Sequence, residues 1–116
     1  MAVVVCISDL FFQSKVVKTA RHLQVDLAVA GSESKLDEVI RGNAESRFIV
    51  DLCFGNAQGI EVVKRIRREL PKARLVAFAP HVEEDLLEAA RQAGASEVMS
   101  RAKFTKKLSE ILGGGG

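Results

Sequence analysis

Apolar positions along the chain fall into two alternating kinds of pattern. Five short runs, Ala2–Ile7, Val25–Ala30, Arg47–Leu52, Arg74–Ala79 and Glu97–Met99, are mostly rich in Val and Ile, and several are continuous. Continuous apolar runs of this length predict strands buried on both faces, the condition of a parallel sheet. Helical spacing fills the gaps. Phe12, Val16, Ala20 and Leu23 form one stripe; Leu36, Val39 and Ile40 form another, after Ser32 and with Glu33 placed to suit a helix dipole. Ile60, Val63, Ile66 and Leu70 make a third stripe, stopped by Pro71. Val82, Leu86, Ala90 and Ala93 make a fourth between Pro80 and Gly94, and Phe104, Leu108, Ile111 and Leu112 make the fifth.

Strict alternation of five strands and five helices predicts an α/β fold with right-handed crossovers and helices on both faces of the sheet. At this size the expected arrangement is a (βα)5, flavodoxin-like, doubly wound parallel sheet of order 2-1-3-4-5. One domain over residues 1–112 is expected, with 113–116 as a glycine tail whose first residue can cap the last helix.

Composition narrows the classes of function. The 116 residues are 47% hydrophobic and 28% charged, with a net charge of +2, too small to argue for nucleic acid. Lys64, Arg65, Arg67 and Arg68 lie close together; they read as a solvated helix face, with a phosphate-binding patch as the other reading. Cys6 and Cys53 are not a disulfide framework, and their apolar neighbours predict buried free thiols. No stretch approaches the ~20 apolar residues that span a bilayer, and no leader pattern opens the chain. A cytoplasmic protein without membrane contact is therefore the expectation.

Ligands in open α/β sheets gather beyond the carboxyl ends of the strands. Those ends read Ser8 and Asp9, then Asp51, then Ala79, then Ser100 and Arg101. An acid such as Asp51 at the tip of a buried strand is costly unless water, a cation or hydrogen bonds reach it. Asp9 and Asp51 converge on one mouth, and with the backbone carbonyl of Cys53 they form the kind of oxygen set that Mg²⁺ accepts weakly. Asp9 can equally serve as the N-cap of the first helix, and the two roles can coexist. His81 follows Pro80 at the same mouth; it reads as a loop residue opening the fourth helix, or as a titrating neighbour of Asp51. Of Phe11 and Phe12, adjacent on one helix, one faces the core and the other outward. The chain contains no Gly-rich phosphate loop, no Ser-His-Asp spacing and no Cys/His cluster, so an enzyme is not expected.

On Ser8-Asp9, Asp51, Gly59 eight positions later, and the segment Ala90-Arg91-Gln92-Ala93-Gly94-Ala95, the chain resembles the receiver domain of two-component response regulators over residues 2–112. The resemblance implies Asp51 as phosphoacceptor, a metal-binding acid pair, a hydroxyl after strand four and a lysine after strand five. Departures fall on those positions. Ser8 replaces one acid, Ala79 stands at the switch hydroxyl, and Arg101 takes the lysine position. Val98 occupies the place of the switch aromatic, Ala102 that of a proline, and Gly55 that of the loop proline. A methyl cannot donate to a phosphoryl oxygen, and a planar guanidinium does not replace a point ammonium in a tight site.

Two functions follow from the resemblance. One is a stand-alone, atypical (pseudo-receiver-like) signalling domain with an impaired phosphorylation switch. It would act through protein contacts around Val98, Lys103 and Phe104, on a signalling protein, a histidine kinase or a second copy of itself. The alternative is a working response-regulator receiver, phosphorylated on Asp51 with Mg²⁺ held by Asp9 and Asp51.

Overall fold

The computed structural model describes residues 3–42, 47–54 and 58–113. Ala2, Gly55 and the glycines after Gly113 lie outside the described residues. Strands β1 (Val3–Cys6), β2 (Leu27–Val29), β3 (Arg47–Asp51), β4 (Arg74–Ala79) and β5 (Glu97–Ser100) form one parallel sheet in the order β2-β1-β3-β4-β5. This is the predicted topology.

Strand alternation sends neighbouring residues to opposite sides, and both sides are dry. Val4, Cys6, Phe48, Val50, Leu75 and Ala77 enter one core with helices α2 (Glu33–Gly42), α3 (Gly59–Glu69) and α4 (Glu84–Ala93). Val3, Val5, Ile49, Val76 and Phe78 enter the other, with α1 (Leu10–His22), α5 (Arg101–Lys106) and α6 (Leu108–Gly113). That double burial explains why the sequence runs are continuous. Strand β2, at the edge, is only half-buried.

Three local expectations are corrected. The fifth helical stripe is divided between α5 and α6, because Lys107 adopts φ −100°, ψ 10°. Its amide still bonds to the carbonyl of Lys103, so Phe104, Leu108 and Leu112 stay on one buried side. Val82 does not belong to the fourth stripe. A turn closed by the Glu83 amide on the Pro80 carbonyl delays α4 to Glu84, and Val82 is exposed. Cys53 is also exposed, since it lies in the turn after β3; only Cys6 is buried, and burial pushes its thiol up to about 12.

Two arginines secure the amino end of the sheet. Arg67 donates to the carbonyls of Gly94 (2.9 Å), Pro71 (2.8 Å) and Ala73 (2.7 Å), and reaches the Ser96 hydroxyl. Gly94 ends α4 in the left-handed conformation (φ 105°), which favours glycine. Arg47 donates to the carbonyls of Ile111 (2.9 Å) and Leu112 (3.1 Å), fastening the end of α6 to β3. Neither clamp leaves a local pattern in the sequence.

Two of the four basic residues on α3, Arg65 and Arg67, are engaged by neighbouring elements. Arg65 pairs with Asp37 of α2 and with Glu69 at 2.7 Å, and Lys64 lies 3.7 Å from Glu61. Arg67 is turned onto carbonyls, and Arg68 is exposed. No helix among the described residues is long and apolar enough to cross a membrane.

Candidate functional site at the carboxyl end of the sheet

Asp9 stands just beyond β1 with extended backbone (φ −71°, ψ 111°) and opens α1. Its Oδ1 accepts from the amides of Phe11 (3.0 Å) and Phe12 (3.2 Å), satisfying two donors that a helix start leaves without partners. Its Oδ2 accepts from Arg101 Nη2 at 3.3 Å. The Phe12 amide first, and Arg101 next among its stabilising partners, hold the Asp9 carboxyl below its ordinary range. The N-cap reading is therefore observed, with a cross-molecule ion pair added to it.

Asp51 ends β3 and is 5% exposed, the one buried charged residue among those described. Its Oδ1 accepts from the Cys53 amide at 2.9 Å, which closes the turn after the strand. Burial raises its pKa; the Cys53 amide and the charge of Arg101 pull the other way, and the charge of Asp9 adds to the rise. The two acids and Arg101 thus share one electrostatic neighbourhood.

Gly59 has a packing reason. A Cβ there would come within 2.6 Å of the Leu52 carbonyl carbon and oxygen, so α3 starts directly against the backbone that follows Asp51. The residue eight positions after the acid fixes the height of the turn that carries it.

Ala79 ends β4, fully buried, and pairs in register with Ser100 of β5. It offers a methyl group, and the Ser100 hydroxyl is occupied as the N-cap of α5, accepting from the Lys103 amide at 3.1 Å. His81 is exposed in the turn after β4.

Arg101 opens α5 and reaches back over the mouth. Its guanidinium carbon lies 4.3 Å from the centre of the Phe12 ring. That ring meets Phe78 edge-on at 5.4 Å and Phe104 at 5.8 Å, while Phe78 and Phe104 stack at 4.2 Å. Phe78 is the register partner of Asp51, so the aromatic group underlies the acidic mouth. Phe11, next to Phe12, is 93% exposed, giving the inward–outward pair the sequence required. The aromatic trio and its guanidinium lid carry no joint signal in the sequence: they join residues from three elements, α1, β4 and α5, and have no local period. Single phenylalanines at strand and helix positions facing one side of the sheet were the only available signal.

The three expected contact residues separate. Lys103 is exposed, Val98 is half-buried and packs against the α4-side core, and Phe104 is fully buried. Phe104 is therefore corrected: one helical step from Lys103 turns it inward onto Phe78, so it supports that face from beneath.

The donor set can be compared with the needs of Mg²⁺, which demands near-ideal octahedral oxygen geometry. Both Asp9 oxygens already accept hydrogen bonds, one of them from a cation, and Asp51 Oδ1 is engaged by the Cys53 amide. Among the described residues no group of three or more His, Cys, Asp or Glu side chains gathers to hold a metal. As arranged, with a guanidinium on Asp9, the set does not fit a divalent ion.

No protein-family model matches the chain. A curated relative, the transcriptional activator protein ExaE of Pseudomonas putida, is 30% identical over 83 residues, covering 72% of this chain. The chain spans 39% of that protein's length. Among solved structures, a response regulator receiver domain from Rhodospirillum rubrum superposes with a TM-score of 0.79 at 14% identity, covering 97% of this chain and 92% of that one. A response regulator from Burkholderia pseudomallei, solved with a phosphorylated aspartic acid, calcium ion and citrate, gives 0.75 at 15% identity, over 95% and 69% of the two chains. Strand order, helix placement and these superpositions agree: the chain has the fold of response-regulator receiver domains.

Proposed function

We propose that the chain is an atypical receiver-like signalling domain of the cytoplasm that works through protein–protein contacts, with its phosphorylation switch impaired. The observation that carries this reading is the Arg101–Asp9 pair at 3.3 Å beside a buried Ala79. Phosphoryl transfer to a carboxylate depends on positioning and on neutralising charge at the transferred group. Here the acid that would bind the metal is tied to a guanidinium, and the hydroxyl that would sense the phosphoryl group is replaced by a methyl. The face around Lys103, braced by Phe104 and bordered by Val98, is the surface offered to a signalling protein, a histidine kinase or a second copy. Incubation with a small phosphodonor and Mg²⁺, followed by intact-mass measurement, tests the reading. The expected result is an unchanged mass.

A second reading is favoured by Asp51 itself, a buried carboxylate at a strand tip within the charge range of Arg101. The Burkholderia neighbour carries a phosphorylated aspartic acid on the same fold. A phosphoryl adduct on this chain that disappears in Asp51→Asn would establish this alternative and overturn the first.

A further inference from the structure

We infer that Arg101 is the mouth's own cation: held against the Phe12 ring and paired with Asp9, it stands where a divalent ion would otherwise act and excludes one. Three observations carry this. The guanidinium donates to Asp9 Oδ2, and its central carbon lies over the Phe12 ring, 4.3 Å from the ring centre. Its Nε is buried and has no hydrogen-bond partner. An arginine seeking only a surface ion pair would keep that nitrogen in water; here the side chain is drawn in by the ring and the acids together.

Charge counting on the residues themselves points the same way. Two carboxylates, Asp9 and Asp51, face one fixed guanidinium, and Ser8 contributes no third acid. A divalent ion added to that set would lie against a guanidinium already on Asp9, and like charges repel at such range. A lysine could swing aside and remain hydrated, whereas an arginine stacked on an aromatic face is pre-organised to stay.

The inference goes beyond the proposed function, and its measurement involves no phosphodonor, so the two can fail separately. Mn²⁺ and Mg²⁺ are titrated into the full chain, wild type and Arg101→Gln, while amide shifts and paramagnetic broadening are followed at Asp9, Asp51 and Cys53. Arg101→Gln removes the charge and the guanidinium while keeping an aliphatic stem and a polar end, and circular dichroism verifies its fold. Wild type is expected to show no saturable binding through millimolar ion. Arg101→Gln is expected to bind about tenfold tighter or more, as removal of a charge-assisted competitor implies. Adding Asp9→Asn to Arg101→Gln is expected to abolish that binding. Phe12→Leu, which removes the ring face, is expected to give a smaller gain than Arg101→Gln. Wild-type affinity equal to that of Arg101→Gln, or no binding by either, would overturn the inference. A gain in Arg101→Gln with none in Phe12→Leu would overturn the role assigned to the ring.

Discussion

The two ends of the sheet use arginine in opposite ways. At the amino end, Arg67 and Arg47 are spent on backbone carbonyls: three for Arg67, two for Arg47. At the carboxyl end, Arg101 meets a carboxylate and an aromatic ring, and one of its nitrogens has no partner. Carbonyls at helix ends and strand starts must be satisfied in any sequence adopting this fold, so the first kind of arginine is architecture. A guanidinium with an unmet donor beside a buried acid does not answer a backbone need. The comparison separates what holds the molecule together from what the mouth is for.

Removing Arg67 should have the largest effect. Arg67→Ala leaves the part-buried Gly94 and Ala73 carbonyls short of a donor and frees the exposed Pro71 carbonyl to water; it should destabilise the fold by about 3 kcal/mol in urea unfolding, at ~1–3 kcal/mol per unsatisfied buried group. Recovery of full stability by Arg67→Lys would break the distinction, since an ammonium cannot span three carbonyls in a fork. Gly59→Ala should follow, costing about 2 kcal/mol by overpacking against Leu52 at the carboxyl end. Its amide shifts should concentrate at Asp51 and Cys53; shifts spread evenly over the molecule would deny that this contact sets the turn.

Arg101→Ala should change the free energy of unfolding in urea by less than about 1 kcal/mol, because its ion pair is partly exposed and screened. A loss as large as that of Arg67→Ala would make Arg101 architectural too, and erase the contrast. The smallest effect is expected from Asp51. Burial raises its folded pKa, so the stability it contributes is complete in acid and is lost as pH rises through that folded value. Asp51→Asn should accordingly stabilise the protein at neutral pH, with the gain shrinking as pH falls through the raised folded value and gone below the ordinary aspartate range. Asp9 has the opposite sign. Its lowered pKa gives stability present above the ordinary range and lost in acid, so Asp9→Asn should cost most at neutral pH.

The architecture was legible because burial on two faces writes continuous Val and Ile runs, and the return helices write stripes of their own. Sheet order followed from that alternation. What the pattern misreads is local: Val82 falls before a helix that a turn postpones, and Cys53 points outward between the buried Leu52 and Phe54. The positions of Asp9, Asp51, Ala79 and Arg101 at one mouth followed from strand ends alone. Their linkage did not. The stack of Arg101 on Phe12 joins the first residue of α5 to the first turn of α1, and no periodicity or motif connects residues so far apart in sequence. Phe104 shows the same blindness, since a phenylalanine beside an exposed lysine reads equally well as surface or as core.

The two cysteines, unequal in setting, give the mouth a handle. Cys6 is sealed in the sheet with its thiol pushed up to about 12, and so stays unreactive in the folded protein. Cys53 is exposed, and its backbone amide is the one that holds Asp51. A maleimide dye or nitroxide would therefore attach at one position, beside the buried acid, without engineering the chain. Its attachment should be slow, because partial burial and the negative charges of Asp51 and Glu83 raise that thiol as well. Any ligand, modification or partner arriving at the mouth would be reported by a probe the sequence already supplies.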